Sequence, residues 1–208
     1  MYNGFIKRTF DVIIAVIGLP IFLLILLIIA PMIYLENRGP IFYNADRLGK
    51  KGKIYKMYKF RSMKVNAPDL RNEDGSTFNS EDDQRLTKIG KFIRKTSIDE
   101  TPQIINILKN DMSIIGPRPD LPEHIDYYEG EEKRKLDVQP GITGYNQAYY
   151  RNSVEWKDRL KHDVFYVDNL SFGLDVKIFL KTIESIVFKR GIYVDSQSIN
   201  TKGNSCDE

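Results

Sequence analysis

The hydrophobic positions of this chain are distributed very unevenly, and one uncharged run dominates the pattern. Val12 to Leu35 are 24 consecutive residues without a charged side chain. About 20 apolar residues suffice for a helix to cross the hydrocarbon core of a bilayer. A helix that is apolar on all sides has little use in the core of one soluble domain, so the run predicts a membrane-embedded helix rather than a buried one. Its length and the absence of a small-x-small site also disfavour a cleaved signal peptide.

Basic residues flank the apolar run on both sides. Lys7 and Arg8 precede it, and nine more follow it: Arg38, Arg47, Lys50, Lys51, Lys53, Lys56, Lys59, Arg61 and Lys64. Because cytoplasmic flanks of membrane helices are enriched in Lys and Arg, a straight span would place one basic flank on the disfavoured side. We therefore expect a re-entrant hairpin that enters and leaves on one face. Its break is expected at Gly18-Leu19-Pro20, and Pro31 offers a second candidate for the break. The alternative is a single span that is merely kinked at Pro20.

After Gly39-Pro40 the pattern becomes that of a compact domain. Two short apolar runs predict a β-hairpin, with strands at 41–43 and 54–60 and a turn at 48–52. The polar and acidic stretch at 66–85 predicts a surface loop. These features predict that the part of the chain after the membrane segment contains a few β-strands.

Helical periodicity dominates the remainder of the chain. Apolar residues recur at helical spacing in three places, around 86–95, 156–167 and 178–187. The first of these has lysines opposite its apolar face, which is typical of an interfacial amphipathic helix and equally of an ordinary core-facing helix. The prediction is therefore a mostly helical α+β fold: a re-entrant membrane hairpin, then a compact cytoplasmic domain with a small β-hairpin and amphipathic interfacial helices. We expect an anchor at 1–38, the cytoplasmic domain at 39–194 and a polar tail at 195–208.

The composition of the chain excludes some kinds of metal site and favours one kind of binding partner. With 208 residues, one cysteine and two histidines, the chain can form neither an intramolecular disulfide nor a multi-histidine or all-cysteine zinc site. Residues 1–64 carry 11 Lys or Arg and 3 Asp or Glu, whereas the remainder carries 20 and 25. A basic segment next to an apolar run favours a lipid surface over nucleic acid as the anionic partner.

The most informative polar pair is Asp99 and Glu100, just before an apolar helical run. Pro102 cannot lie deep in a helix, so the helix begins at it or two to three residues earlier. Unpaired N–H groups at a helix start favour ionised carboxylates. Acidic residues there are often structural, and Ser97-x-x-Glu100 resembles a capping box. The chemical alternative is a nucleophilic Asp, or a carboxylate pair that shares a divalent metal.

Two proline-containing segments are further candidates. In Gly116-Pro117-Arg118-Pro119 the prolines fix the backbone around Arg118. A rigidly presented guanidinium suits phosphate binding or stacking on a base, and a stiff loop with a solvated Arg is the alternative. The second segment, 139–144, predicts a turn followed by backbone that can approach a ligand closely, and a turn without a ligand is the alternative. No Walker-type loop or GxGxxG motif is present.

Taken in order, these motifs resemble one family, the bacterial sugar transferases, which are monotopic polyprenyl-phosphate phosphoglycosyl transferases. The resemblance extends from Met1 to about Gly191 and fits the small members that carry only the catalytic core. Its motifs are Lys7-Arg8-x-x-Asp11, Gly39-Pro40-Ile41-Phe42, Tyr58-Lys59-Phe60-Arg61-Ser62-Met63, Arg94-x4-Asp99-Glu100-x-Pro102-Gln103, Lys109-x-Asp111-Met112-Ser113-x-x-Gly116-Pro117-Arg118-Pro119, Pro140-Gly141-Ile142-Thr143-Gly144 and Asp163-Val164-x-Tyr166-x-x-Asn169-x-Ser171.

The resemblance implies a reaction and a place. Such an enzyme moves a sugar-1-phosphate from a UDP-sugar to undecaprenyl phosphate, or another polyprenyl phosphate, and releases UMP. It works at the cytoplasmic face of the bacterial inner membrane, in the first membrane step of surface glycoconjugate assembly. The resemblance makes Asp99 the nucleophile of a covalent aspartyl-phosphosugar and Glu100 its partner. It also implies Mg²⁺, for which both carboxylates are the expected ligands.

The remaining site residues are assigned by their chemistry and by the same resemblance. We expect Lys59, Arg94 and Arg151 to bind phosphates, Arg118 with Pro117 to meet the uridine part, and Asp163 to belong to the substrate site. The expected partners are the UDP-sugar, undecaprenyl phosphate and the lipid bilayer, with no nucleic acid; a homodimer stays open. A membrane-anchored scaffold without catalysis is the rival hypothesis. Nothing in the sequence distinguishes one sugar from another.

Overall fold

The computed structural model of the protein describes residues 2–70, 80, 82–150 and 154–187, and it has a mostly helical α+β fold. The helices are α1 (Lys7–Glu36), α2 (Lys88–Lys95), α3 (Gln103–Leu108), α4 (Tyr145–Tyr149), α5 (Trp156–Asp168) and α6 (Phe172–Val187). The strands are β1 (Phe42–Leu48), β2 (Ile54–Phe60), β3 (Ser113–Ile115) and β4 (Gly141–Thr143). Shorter turns are a π-helical Tyr2–Ile6 and 3-10 segments at Lys50–Gly52, Ile98–Glu100, Pro122–Tyr127 and Gly130–Asp137.

The apolar run forms α1, a helix of 30 residues that continues through Pro20 and Pro31. With Gly4–Ile6 ahead of it, this helix is long and apolar enough to cross a membrane, by length and composition. The sequence predicted a break into two arms at Pro20, and no break is observed there. A proline removes one intrahelical hydrogen bond and kinks or breaks a helix, but membrane helices tolerate proline because neighbouring groups satisfy the freed backbone carbonyl. The re-entrant hairpin is therefore not confirmed.

One face of α1 packs against the rest of the protein along its whole length. Its buried residues follow a spacing of four and seven, which is one helical face: Lys7, Asp11, Ala15, Phe22, Ile29 and Ile33. Ala15 shares a hydrophobic cluster with Met57 and Ile107, and the later positions share a second cluster with Phe60 and Ile93. The opposite face exposes large apolar side chains such as Leu24 and Leu27. One face of α1 therefore packs against the core of the domain, and the opposite face is an exposed apolar surface.

The predicted β-hairpin is confirmed. Strands β1 and β2 pair antiparallel, from Phe42 opposite Phe60 to Leu48 opposite Ile54. Strand β1 extends beyond the predicted end at Tyr43 because pairing with β2 outweighs the weak strand propensity of its polar residues. Lys51, in the connecting turn, has a φ of 59°.

A second sheet was not predicted from the sequence. Strands β3 and β4 pair in parallel, with Ser113 opposite Gly141 and Ile115 opposite Thr143. A Cβ at Gly141 would lie 2.1 Å from the backbone nitrogen of Gly116. The segment 139–144 was expected to let backbone approach a ligand, and this expectation was wrong at Gly141, whose close neighbour is the chain itself. The contact fixes the start of the 117–120 segment against β4.

The three predicted helical regions are observed as α2, α5 and α6. The core-facing interpretation of α2 is confirmed at Ile93, which is buried, whereas the neighbouring Phe92 is exposed. The interfacial role of α2 stays a prediction. Thr87 caps it by accepting from the Gly90 N–H at 2.8 Å. The acidic stretch at 66–85 is only partly within the described residues, and the tail at 195–208 lies outside them.

Candidate active site

The Asp99–Glu100 pair lies on a 3-10 turn between α2 and α3. Ser97 enters this turn with a φ of 57°, and its side chain caps no backbone N–H, so the capping box is not formed. Helix α3 begins at Gln103 with Pro102 as its N-cap, one residue after the latest predicted start. The two carboxylates therefore occupy a tight turn at a helix entry without serving as its cap.

Three cationic side chains from separate elements surround the pair. Lys59 on β2 donates to Glu100, with Nζ 2.6 Å from Oε1. Arg118, after β3, brings Nη2 to 3.9 Å from the same oxygen. Arg94 on α2 donates from Nε to Ser62 Oγ at 2.9 Å. Its charge acts on both carboxylates. Because cations outnumber carboxylates here, the site is suited to an anionic ligand.

The electrostatic environment gives the two carboxylates very different pKa values. Burial raises the pKa of Asp99 to about 6, and the charge of Glu100 adds to this against the opposing charges of Lys59 and Arg94. Burial alone would raise the pKa of Glu100 too, but Lys59 and Arg118 hold it at about 2. Adjacent carboxyl groups whose pKa values are pushed apart commonly take different roles. Asp99 is the more basic carboxylate and is still largely ionised at neutral pH, which suits a nucleophile.

Local packing explains why Arg94 faces this site. Helix α2 crosses the chain just after β2 so closely that a Cβ at Gly90 would lie 1.8 Å from the Ser62 carbonyl oxygen. One helical turn later, Arg94 reaches the hydroxyl of that same Ser62. Ser62 was not among the predicted site residues, although it lies in the Tyr58–Met63 motif. It holds a phosphate-binding candidate in place.

The structure brings together most of the predicted site, namely Lys59, Arg94, Asp99, Glu100 and Arg118 with its neighbour Pro117. Asp163 is only 2% exposed, and its oxygens are engaged by Lys135 and Asn146. Its direct contact with substrate stays a prediction. Arg151 lies outside the described residues. Lys135 gave no signal in the sequence, because it follows a charged stretch that looks like ordinary surface.

Magnesium can be tested against the donor set. Among the described residues, no group of three or more His, Cys, Asp or Glu side chains could hold a metal ion by itself. Mg²⁺ is usually bound in proteins by one or two carboxylates together with substrate phosphates and waters. Asp99 and Glu100 fit that pattern, in which phosphate oxygens complete the ligands. The requirement for Mg²⁺ stays a prediction.

Comparison with known proteins identifies the family. The family described as bacterial sugar transferases matches residues 2–189. An uncharacterised sugar transferase of Bacillus subtilis, EpsL, is 40% identical over 187 residues, which cover 90% of each chain. The chain therefore belongs to the bacterial sugar transferase family.

Two relatives carry substrate names. The UDP-N-acetylgalactosamine-undecaprenyl-phosphate N-acetylgalactosaminephosphotransferase of Aeromonas hydrophila is 40% identical over 190 residues, 88% of this chain and 44% of that protein. The undecaprenyl-phosphate galactose phosphotransferase of Salmonella typhimurium is 37% identical over 208 residues, 92% of this chain and 42% of that protein. The chain thus spans less than half the length of both of these relatives, but nearly all of EpsL.

Proposed function

We propose that this protein transfers a sugar-1-phosphate from a UDP-sugar to undecaprenyl phosphate and releases UMP. The observation that carries the proposal is the buried Asp99 carboxylate beside Glu100, faced by Lys59, Arg94 and Arg118. A diphosphate donor needs such cations to be held, and it offers a phosphorus atom to a carboxylate nucleophile. The name of the Aeromonas relative contains both a UDP-sugar and undecaprenyl phosphate, and that of the Salmonella relative contains undecaprenyl phosphate and galactose, which supports the same classes of substrate.

The reaction proceeds in two displacements at one phosphorus. An Asp99 oxygen attacks the sugar-side phosphorus of the diphosphate, and the bond to the bridging oxygen breaks, so that UMP leaves with the electron pair. The product is an aspartyl-phosphosugar. An oxygen of the lipid phosphate then attacks the same phosphorus and breaks its bond to Asp99, which regenerates the carboxylate. The lipid now carries the sugar through a diphosphate.

The surrounding residues hold the charges of this reaction in place. Lys59 and Arg118 lie on the Glu100 side of the pair, and Arg94 acts on both carboxylates. These cations orient the phosphates and offset their charge, so that the anionic Asp99 can approach the phosphorus. Asp99 and Glu100 would hold Mg²⁺, which when bound with the donor supplies further neutralisation of phosphate oxygens.

The same proposal places the enzyme on the inner membrane, with both ends of α1 at the cytoplasmic face. The helix is attached to one domain at both ends. Near its start, Lys7 Nζ lies 2.6 Å from Asp175 Oδ2 on α6. At its end, Glu36 accepts from the N–H groups of Lys88 and Ile89 on α2, at 2.6 and 2.9 Å. The exposed apolar face between these ends is suited to lipid, which is where the acceptor's polyprenyl chain resides.

The pKa of Asp99 predicts the acid limb of the activity profile. Asp99 must be ionised to attack, so kcat/KM is expected to fall about tenfold per pH unit below about pH 6. Lys59 lowers the pKa of Asp99, so Lys59→Met should raise that pKa and move the limb to higher pH, whatever it does to the maximum rate. Lys56→Met is the matched control, because this lysine is on the same strand but pairs with the exposed Asp46. An acid limb at the same pH in the Lys59 variant would contradict the prediction.

The proposed function is tested by UMP release in detergent with undecaprenyl phosphate and Mg²⁺. The donors are UDP-galactose, UDP-N-acetylgalactosamine, UDP-glucose and UDP-N-acetylglucosamine. We expect one donor to release UMP with matching formation of a lipid-linked sugar. The two relatives named for different sugars have similar identity to this chain, so overall identity does not select the donor. Absence of UMP with a wider panel that adds amino- and deoxy-sugar donors would favour the scaffold hypothesis.

A further inference from the structure

A buried lysine lies beneath the proline-flanked segment that carries Arg118. The Lys135 side chain is 4% exposed. Its Nζ lies 2.5 Å from Asp120 Oδ2 and 2.8 Å from Asp163 Oδ2, and it donates to the Arg118 carbonyl oxygen at 3.3 Å. These three acceptors match the three N–H donors of an ammonium group. Lys135 thus joins three elements: the 117–120 segment, the Gly130–Asp137 turn and α5.

The carboxylates of this cluster, formed by Asp120, Lys135 and Asp163, are satisfied by further donors. Tyr128 donates to Asp120 at 2.7 Å, and Asn146 donates to Asp163 at 2.9 Å. Burial alone would lower the pKa of Lys135, but the charges of Asp120 and Asp163 raise it, so the ammonium stays charged. A buried ion cluster of this kind carries a large desolvation cost and often adds little to stability compared with apolar packing. The function of this cluster is therefore better explained by its fixing the positions of the residues that it joins.

The segment depends on its carbonyl groups for attachment. Pro117 and Pro119 have no N–H to donate. The carbonyl of Pro117 accepts from the Gly141 N–H at 2.9 Å, and that of Asp120 accepts from the Leu48 N–H at 2.9 Å. Between them, the carbonyl of Arg118 accepts from Lys135. Lys135 therefore fixes the peptide group of the residue whose guanidinium faces Glu100.

We propose that Lys135, held by Asp120 and Asp163, is a positioning residue that sets the direction in which Arg118 is presented to the donor. The guanidinium is half-exposed and lies 3.9 Å from Glu100, so its own contacts leave it loosely held. The backbone beneath it, in contrast, is fixed by a charged group that cannot be replaced by water without leaving two buried carboxylates unpaired. In this proposal Asp163 acts on the position of Arg118 through its ion pair with Lys135.

The test is a double-mutant cycle, and it rests on the proposed function for its activity arm. Lys135→Met alone leaves two carboxylates unpaired, so the main variant is Lys135→Met with Asp163→Asn, which keeps the formal charge of the cluster. We expect this variant to lower kcat/KM for the UDP-sugar about 10- to 100-fold, as misplacement of a binding group does. In an Arg118→Ala background the same pair of changes should cost less than about twofold, because the group it positions is gone. Lys157→Met, a lysine that pairs with Glu132 and lies over Trp156, is the control and should leave kcat/KM unchanged.

Amide hydrogen exchange provides a second readout that does not depend on activity. The Leu48 and Gly141 amides should exchange faster in the Lys135→Met/Asp163→Asn variant, since their acceptors lie on the released segment. Equal losses of kcat/KM in both backgrounds would show a merely structural role and overturn the proposal, as would unchanged exchange. If the unmodified enzyme releases no UMP, the proposed function fails, and the exchange result alone decides whether Lys135 holds the segment.

Discussion

Replacing Asp99 by Asn is expected to abolish UMP release and, with it, the labelling of the protein by donor alone. The change keeps the size of the side chain but removes the attacking carboxylate, so the loss should exceed about a thousandfold. The measurement is transfer of labelled phosphosugar from UDP-sugar to the protein, with Mg²⁺ and without lipid phosphate. The unmodified enzyme should become labelled, release UMP in a burst and show ping-pong kinetics.

Two further variants make this result specific. Glu100→Gln should lower the rate but allow labelling, since the nucleophile remains while Lys59 loses its anionic partner and the proposed Mg²⁺ site loses one carboxylate. Asp46→Asn is the matched control, because this half-exposed carboxylate pairs with Lys56 on the β-hairpin and should not affect the rate. Direct attack by the lipid phosphate would instead require a ternary complex, leave no label on the protein and allow Asp99→Asn residual activity. That pattern would reject the covalent route while leaving the overall reaction possible.

The pair at the centre of the site could be predicted from the sequence because its signal is local. Pro102 limits where the helix can begin, and this places Asp99 and Glu100 at its entry. Each of the surrounding cations was predicted from its motif, but the distances between these side chains and the carboxylates could not be predicted. Lys59 lies 41 positions from Glu100, and only the path of β2 beside the 3-10 turn brings their side chains to 2.6 Å. Local patterns name candidates, whereas long-range packing sets their pKa values.

The features that escaped prediction all depend on contacts between distant segments. The parallel pairing of β3 with β4 involves strands of three residues each, too short to show a period in the sequence. Lys135 lies in a charged stretch with exposed neighbours such as Lys133, and only its partners Asp120 and Asp163 reveal that it is buried. The break expected at Pro20 is a separate case: α1 continues through this proline, because a proline weakens a helix locally without always ending it.

The topology of α1 has the second largest expected effect, because labelling of its flanks is all or none. Single cysteines at Gly4 and Asn44, in a Cys206→Ser background, report on the two ends. Both positions are exposed, and a side chain at Gly4 would meet nothing within 4 Å. With both ends on the cytoplasmic face, an impermeant thiol reagent should label neither position in intact cells and both after permeabilisation. A cysteine at Leu24, in the middle of the exposed apolar face that we propose contacts lipid, should stay poorly labelled in both conditions.

The physical reason is that a straight span would have to detach one end of α1 from the domain. Pulling Lys7 away would leave Asp175 buried without its cation, a loss of about 3–5 kcal/mol. Tyr2 also donates to Asp175, at 2.6 Å, so its hydrogen bond would be lost as well. At the other end, Glu36 would have to leave the first N–H groups of α2. Labelling of Gly4→Cys in intact cells, with Asn44→Cys protected until permeabilisation, would show that the helix crosses the membrane and that these attachments do not form there.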